Sequence, residues 1–155
     1  MAQAEIIVGS EADLPTLVRL HNEIYRPPAD AAMFRRRFLG RYNVLMLLAL
    51  VNREPAGFQV GFELKPGSYY SWLAGVLASQ RRQGVARQLM EAQIAWARER
   101  GYDILRLEVG QSNRVGIMYA LSCGFHVIGI RLDSTHSDQM LLLERMLDES
   151  LKSRE

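Results

Sequence analysis

Three arginines crowd one short stretch, Ala78 to Arg87, which reads "ASQRRQGVAR". It follows an apolar run and leads into an amphipathic one, so it reads as a strand-to-helix junction. Gly84 and Ala86 remove side-chain bulk and let a ligand approach the backbone. No Ser, Thr, Asp or Asn stands beside Gly84, so the first amides of the helix lack an obvious side-chain acceptor. Arg81, Arg82 and Arg87 add cations to a helix end that already carries about half a positive charge. Each exposed cation there costs about 0.3–1 kcal/mol, and a bound anion reverses that sign. The chemistry implied is phosphate or pyrophosphate binding. The plainer alternative is a solvated arginine loop with Gly84 as a turn residue. Neither Gly-Lys-Ser/Thr nor G-x-G-x-x-G is present, which excludes a P-loop and a dinucleotide fingerprint.

Other groups with chemical potential are scattered. Glu108 lies in "RLEVGQSN", five positions before Asn113, and Glu63 lies on an earlier strand. Arg106 and Glu108 share a strand face, so a surface ion couple is the alternative to acid–base work. Tyr119 sits inside "SNRVGIMYALSCGF". Cys123 precedes a glycine with no histidine nearby and reads as a packing residue. His21, His126 and His136 show no metal-ligand spacing, so no metal site is expected.

These residues need elements to hold them. Ile6 to Val8 is a short apolar run followed by Gly-Ser. Glu11 to Tyr25 is a helix, with Leu14, Leu17, Val18, Leu20 and Ile24 at helical spacing, stopped by Pro27-Pro28. Ala31 to Leu39 gives another turn or two of helix. Val44 to Val51, Ala56 to Leu64 and Tyr69 to Ala78 follow as strands with short links, "NREP" and "KPGS", which predict an antiparallel meander. Val85 to Arg100 is a helix ended by Gly101. Ile104 to Val109 is a strand, and the crossover makes it parallel to the third strand of the meander. Asn113 to Ser122 is a short helix. Val127 to Leu132 and Gln139 to Leu143 are closing strands joined by the polar "DSTHSD". The class is α/β, with a mixed and mostly antiparallel sheet flanked by helices.

Composition bounds the rest. The 155 residues are 48% hydrophobic and 23% charged, which suits one globular domain over residues 1–155. No apolar run reaches the roughly 20 residues a membrane span needs, and "MAQAEIIVGSEADL" has no basic start, so no signal peptide or membrane partner is expected. A single cysteine forbids an internal disulfide and fits a cytoplasmic protein. A net charge of +2 gives no argument for nucleic acid. That reading rests on the arginine clusters alone, and it requires steep salt dependence of DNA or RNA binding.

Arg81-x-x-Gly84-x-Ala86 between a strand and a helix resembles the acetyl-CoA motif of the GNAT N-acetyltransferase superfamily, Q/R-x-x-G-x-G/A. A second family motif, an Asn, a short helix and Gly-Phe before a strand, is matched by Asn113 and Gly124-Phe125. The order of elements matches over nearly the whole chain. The resemblance implies a GNAT-type sheet whose central parallel strands splay at the cofactor site. It also implies acetyl-CoA as co-substrate, no metal, and direct attack of an acceptor amine in a ternary complex. Val76, Leu77 and Ala78 then end the strand that the pantetheine arm pairs with. Arg81, Arg82, Gln83, Gly84, Val85, Ala86 and Arg87 form the pyrophosphate turn, and Asn113 contacts the cofactor.

Aminolysis of a thioester needs a neutral amine, a polarised carbonyl and a proton for the leaving thiolate. An N–H near Val76 or Leu77 serves the carbonyl. Glu108 is the base candidate, in an arrangement similar to that of the ribosomal-protein alanine N-acetyltransferases, and Glu63 is a second. Many family members carry a tyrosine that protonates the leaving sulfur. Aligning Asn113 and Gly124-Phe125 without a gap puts Ala120 at that place and Gly116 at the usual alanine's. Tyr119 falls one residue early, about 100° round the helix, so its acid role is a candidate only. Gly116 in mid-helix weakens the helix by about 1 kcal/mol relative to alanine. Tyr25, Tyr70 and Trp72 are acceptor-pocket candidates, with aromatic core as the alternative for the last two. "FRRRF" either steers an acidic acceptor or is a solvated face. The acceptor is a small-molecule or protein amine, and a homodimer is compatible with the family. The rival function is a GNAT-fold acetyl-CoA sensor or interaction module with little transferase activity.

Overall fold

The structure is a computed structural model that describes residues 3–133 and 138–147. The strands are β1 (Glu5–Val8), β2 (Leu45–Val51), β3 (Glu54–Lys65), β4 (Ser68–Val76), β5 (Ile104–Gly110), β6 (His126–Asp133) and β7 (Asp138–Met146). The helices are α1 (Leu14–Ile24), α2 (Ala31–Phe38), α3 (Val85–Glu99) and α4 (Arg114–Ser122). The strands form one seven-stranded sheet in the order β1-β2-β3-β4-β5-β7-β6. The β4–β5 pair is parallel. The β1–β2, β2–β3, β5–β7 and β6–β7 pairs are antiparallel. The α/β class and the parallel crossover are therefore as expected.

The chain divides into two compact units, each discontinuous in sequence. One comprises Met1–Glu63 and Ser71–Trp96, the other Leu64–Tyr70 and Ala97–Glu155. In the first, β2 is buried along nearly its whole length, which is why it reads as unbroken apolar sequence rather than an alternation. Leu14, Leu17 and Leu20 of α1 close with Phe34, Met46, Leu48, Phe58 and Val60 into one core. Each such side chain contributes about 1.5–3 kcal/mol when fully buried. Asp30 caps α2, its carboxylate accepting from the Met33 amide at 2.9 Å. Asn52 and Arg53, both at positive φ, make the tight turn between β2 and β3. That is the geometry of a two-residue hairpin, and it starts β3 two residues earlier than expected, at Glu54.

In the second unit, β5 lies between the start of β4 and β7. Leu105 and Leu143 are fully buried, and Tyr69 packs on Tyr102 with ring centroids 5.1 Å apart. The Asp103 amide donates to Gly67 O at 2.9 Å, tying the start of β5 to the β3–β4 turn.

Other boundaries depart from the sequence expectation too: Glu11–Asp13 form a 3₁₀ turn ahead of α1, and two strand ends move. The strand expected to run through Ala78 ends at Val76. Leu77 accepts from the Gln80 amide at 2.8 Å, and Ala78 to Gln80 wind into a single 3₁₀ turn. Leu77 still donates its amide to Ala56 O on β3 at 2.8 Å, and the 3₁₀ turn takes over from Ala78. At the other end, β7 continues past Leu143 to Met146, because Glu144, Arg145 and Met146 keep pairing with Arg106, Leu105 and Ile104. Most of the polar link "DSTHSD", including His136, lies outside the described residues.

Candidate active site

The candidate residues fall into two groups, one in each unit. The first surrounds the end of β4 and the turn into α3. Arg82 and Gly84 hold φ of 63° and 80°, the left-handed region that lets successive amides converge on one point. The first backbone bond of α3 runs from the Gln88 amide to Gly84 O at 3.1 Å. The helix itself therefore supplies no acceptor to the amides ahead of it. Arg81 turns back and donates from Nε to Val76 O at 3.2 Å, so it braces the turn against the strand it leaves. A turn with left-handed backbone at Arg82 and Gly84, a helix N-terminus and flanking guanidiniums fit the chemistry of a pyrophosphate.

Tyr25, at the end of α1, reaches the same strand, its hydroxyl donating to Ala74 O. Burial pushes the Tyr25 phenol above its ordinary range, and the positive charge of Arg81 opposes this more weakly. Gly75 makes the approach possible. A Cβ there would sit 3.0 Å from Ile24 Cδ1 and 3.2 Å from Tyr25 Cε2. Trp72 is placed in an aromatic cluster, edge-on to Phe34 and Phe38 at 5.7 and 5.9 Å and tilted on Phe62. Arg37 lies over its ring at 4.9 Å, and Arg35 pairs with Glu11 at 2.7 Å. "FRRRF" is thus partly engaged within its own unit. Trp72 and Leu73 both pack against the α1–α2 core, which breaks side-chain alternation as a β-bulge does.

The second group holds Tyr70, Glu108, Asn113 and Tyr119. Glu108 does not pair with Arg106. Arg106 bonds Glu144 on β7 at 2.5 Å, while Glu108 accepts two bonds from Arg131 on β6, the shorter at 2.6 Å. The Glu108 carboxylate, by hydrogen bond and charge, raises the Arg131 guanidinium further above its usual range, with Asp133 and Tyr70 adding smaller effects. Arg131 was not singled out from the sequence, and only the β5–β7–β6 order reveals it.

Asn113 caps α4, its Oδ1 accepting from the Gly116 amide at 2.9 Å. Gly116 is thus in the first turn of α4, not mid-helix. It has a reason to be glycine, since a Cβ there would lie 2.6 Å from Asn113 Nδ2. Gly116→Ala is expected to swing the Asn113 amide away. The lost cap, about 1 kcal/mol, and the gained helix propensity, also about 1 kcal/mol, leave urea stability nearly unchanged. Ala120 is buried at 1% exposure. Tyr119 is half-buried with its hydroxyl oxygen enclosed. Cys123 is buried and packs. Among the described residues no cluster of three or more metal-ligating side chains occurs, and no helix is long and apolar enough to cross a membrane.

The fold is a mixed seven-stranded sheet with one parallel pair and a strand–turn–helix junction at the end of β4. The profile of the acetyltransferase (GNAT) family matches residues 14–125, and the chain belongs to that family. The family uses acetyl-CoA and supports acetyltransferase activity in general. No curated protein sequence matches the chain. Solved structures share the fold at low identity. The ribosomal-protein-S18-alanine N-acetyltransferase from Escherichia coli superposes with a TM-score of 0.82 at 22% identity, covering 94% of this chain and 95% of that one. Ard1 from Thermoplasma volcanium gives 0.80 at 22% identity, covering 94% and 99%. yncA from Salmonella typhimurium, solved with its cofactor acetyl-CoA, gives 0.76 at 16% identity, covering 94% and 95%.

Proposed function

We propose that the whole chain is one acetyl-CoA-dependent N-acetyltransferase domain that acetylates a primary amine by direct transfer. The observation that carries this is the junction from Val76 to Arg87, with positive φ at Arg82 and Gly84 and three arginines at a helix N-terminus. When bound, acetyl-CoA supplies an activated acetyl group. Amides from Arg82 to Arg87 hold its pyrophosphate, and the end of β4 offers backbone groups to the arm and the thioester. Glu108 takes a proton from the acceptor ammonium or through water, and Tyr70 is a candidate to contact the acceptor. The amine nitrogen bonds to the acetyl carbon, the C–S bond breaks, and the thiolate takes a proton from solvent or from Tyr119. Solvent suffices, because a thiol of ordinary pKa, about 8.5, is readily protonated near neutral pH.

The burial of Ala120 at the usual tyrosine place favours a second reading, an acetyl-CoA-binding module with slow transfer. Release of free thiol from acetyl-CoA, followed against a panel of amines that includes peptide N-termini, polyamines and amino acids, separates the two. Acceptor-dependent release is the expected result. Tight acetyl-CoA binding with no acceptor-dependent release would establish the binding module instead.

A further inference from the structure

We propose that Tyr25 is a positioning residue whose hydroxyl, together with the Arg81 guanidinium, holds the free edge of β4 so that its amides face an incoming thioester carbonyl. The proposal rests on the acetyl-CoA reading above. Leu77, just past β4, donates its amide to Ala56 O on β3 at 2.8 Å. Backbone groups alternate between the two edges of a strand, so those of Val76 and Ala74 face away from β3. The parallel ladder with β5 covers only Ser68 to Tyr70, so it does not use them. Two carbonyls on this edge are instead taken by side chains. Ala74 O accepts from Tyr25, and Val76 O accepts from Arg81.

The consequence is electrostatic. A bare strand edge offers carbonyl oxygens and amides alike, and the oxygens repel a ligand carbonyl. Tying both oxygens to donors leaves the amides as the groups presented, and fixes their direction before any ligand arrives. Such preorganised donors act most strongly where charge develops on the carbonyl oxygen. The sequence supports this arrangement at three points. Gly75 lets the Tyr25 ring approach. The Tyr25 amide closes α1 by donating to His21 O at 2.7 Å, which fixes where the ring starts. Burial keeps the phenol protonated and therefore a donor. The Tyr25 hydroxyl thus gives its proton to the strand.

The test uses the full-length protein, acetyl-CoA carrying ¹³C at the thioester carbonyl, and the best amine from the panel. In isotope-edited infrared difference spectra, wild-type protein should lower the carbonyl stretch relative to free acetyl-CoA. Tyr25→Phe should move the band back towards the free value and lower kcat by about tenfold, one lost hydrogen bond's worth, with acetyl-CoA Kd within about twofold. Gly75→Ala, which displaces the Tyr25 ring but keeps its hydroxyl, should move the band the same way. It stands in if Tyr25→Phe fails to fold. An unmoved band with unchanged kcat overturns the proposal, as does a fall in kcat matched by an equal loss of acetyl-CoA affinity. Wild-type protein that binds no acetyl-CoA defeats the cofactor reading itself, a different failure read in the same titration.

Discussion

Gly84→Asp should abolish measurable acetyl-CoA binding while leaving the protein folded. Three effects compete. The left-handed backbone at Gly84, φ 80°, costs a side chain about 1–2 kcal/mol, and Asp is among the residues that tolerate it best. Against this, Gly84 O accepts the first bond of α3, so a carboxylate here lies at the helix N-terminus and gains about 0.3–1 kcal/mol from the dipole. Net stability therefore changes little against a typical total of about 5–15 kcal/mol. The third effect decides the outcome. A carboxylate about 4 Å from a phosphate charge is repelled by roughly 4 kcal/mol at a surface-like dielectric. That corresponds to a hundredfold to thousandfold loss of affinity, at about 1.4 kcal/mol per factor of ten. Gly84→Asn has nearly the same shape without the charge and should lose far less, so calorimetry on the pair isolates the electrostatic part. Equal acetyl-CoA affinity in wild type and Gly84→Asp would sink the phosphate site.

Glu108→Gln should lower turnover by about a hundredfold or more, the usual scale of a positioned base, with acetyl-CoA Kd unchanged. Two features shape this expectation. First, Glu108 is mostly enclosed, at 17% side-chain exposure, while its partner Arg131 is 48% exposed. A half-exposed pair of this kind contributes about 0–1 kcal/mol, so the variant should stay folded, and urea unfolding checks it. Second, the glutamine amide keeps a hydrogen-bonding oxygen for Arg131 but cannot take a proton. The residual rate should then climb with pH for as long as the fraction of neutral acceptor amine climbs. A rate and pH profile matching wild type would remove Glu108 as base and leave it as the partner of Arg131.

Much of the architecture was legible because periodicity and turn chemistry report it directly. Leu14, Leu17 and Leu20 announced the buried face of α1, and Gly101 the end of α3. The anion turn was legible for a different reason, as arginines at an uncapped helix start are a local conflict that needs a ligand to resolve it. What stayed hidden depends on contacts distant in sequence. Arg106 and Glu108 share a face and looked like partners, but each finds a better-placed opposite charge on a neighbouring strand, Glu144 and Arg131. No local pattern carries that register. The end of β4 is hard to read locally because Ala78 is as apolar as the strand before it, and only backbone bonding tells a strand from a 3₁₀ turn. The positive φ of Arg82 was equally hidden, since nothing in an arginine side chain favours it. Gly116 was seen as a weakness of α4 and is instead the clearance that Asn113 needs.

The chain passes between its two units at Glu63/Leu64, Tyr70/Ser71 and Trp96/Ala97. Neither unit is therefore encoded by one uninterrupted stretch. A fragment stopped at Glu63 lacks the arginine turn, and one begun at Leu64 lacks Tyr25 and the core it belongs to. A fragment of residues 1–96 holds all of the first unit but also carries Leu64–Tyr70 of the second, so no terminal truncation isolates either unit alone from this protein. Its assembly also depends on contacts across long loops, which lowers the expected folding rate compared with a helical chain of equal length.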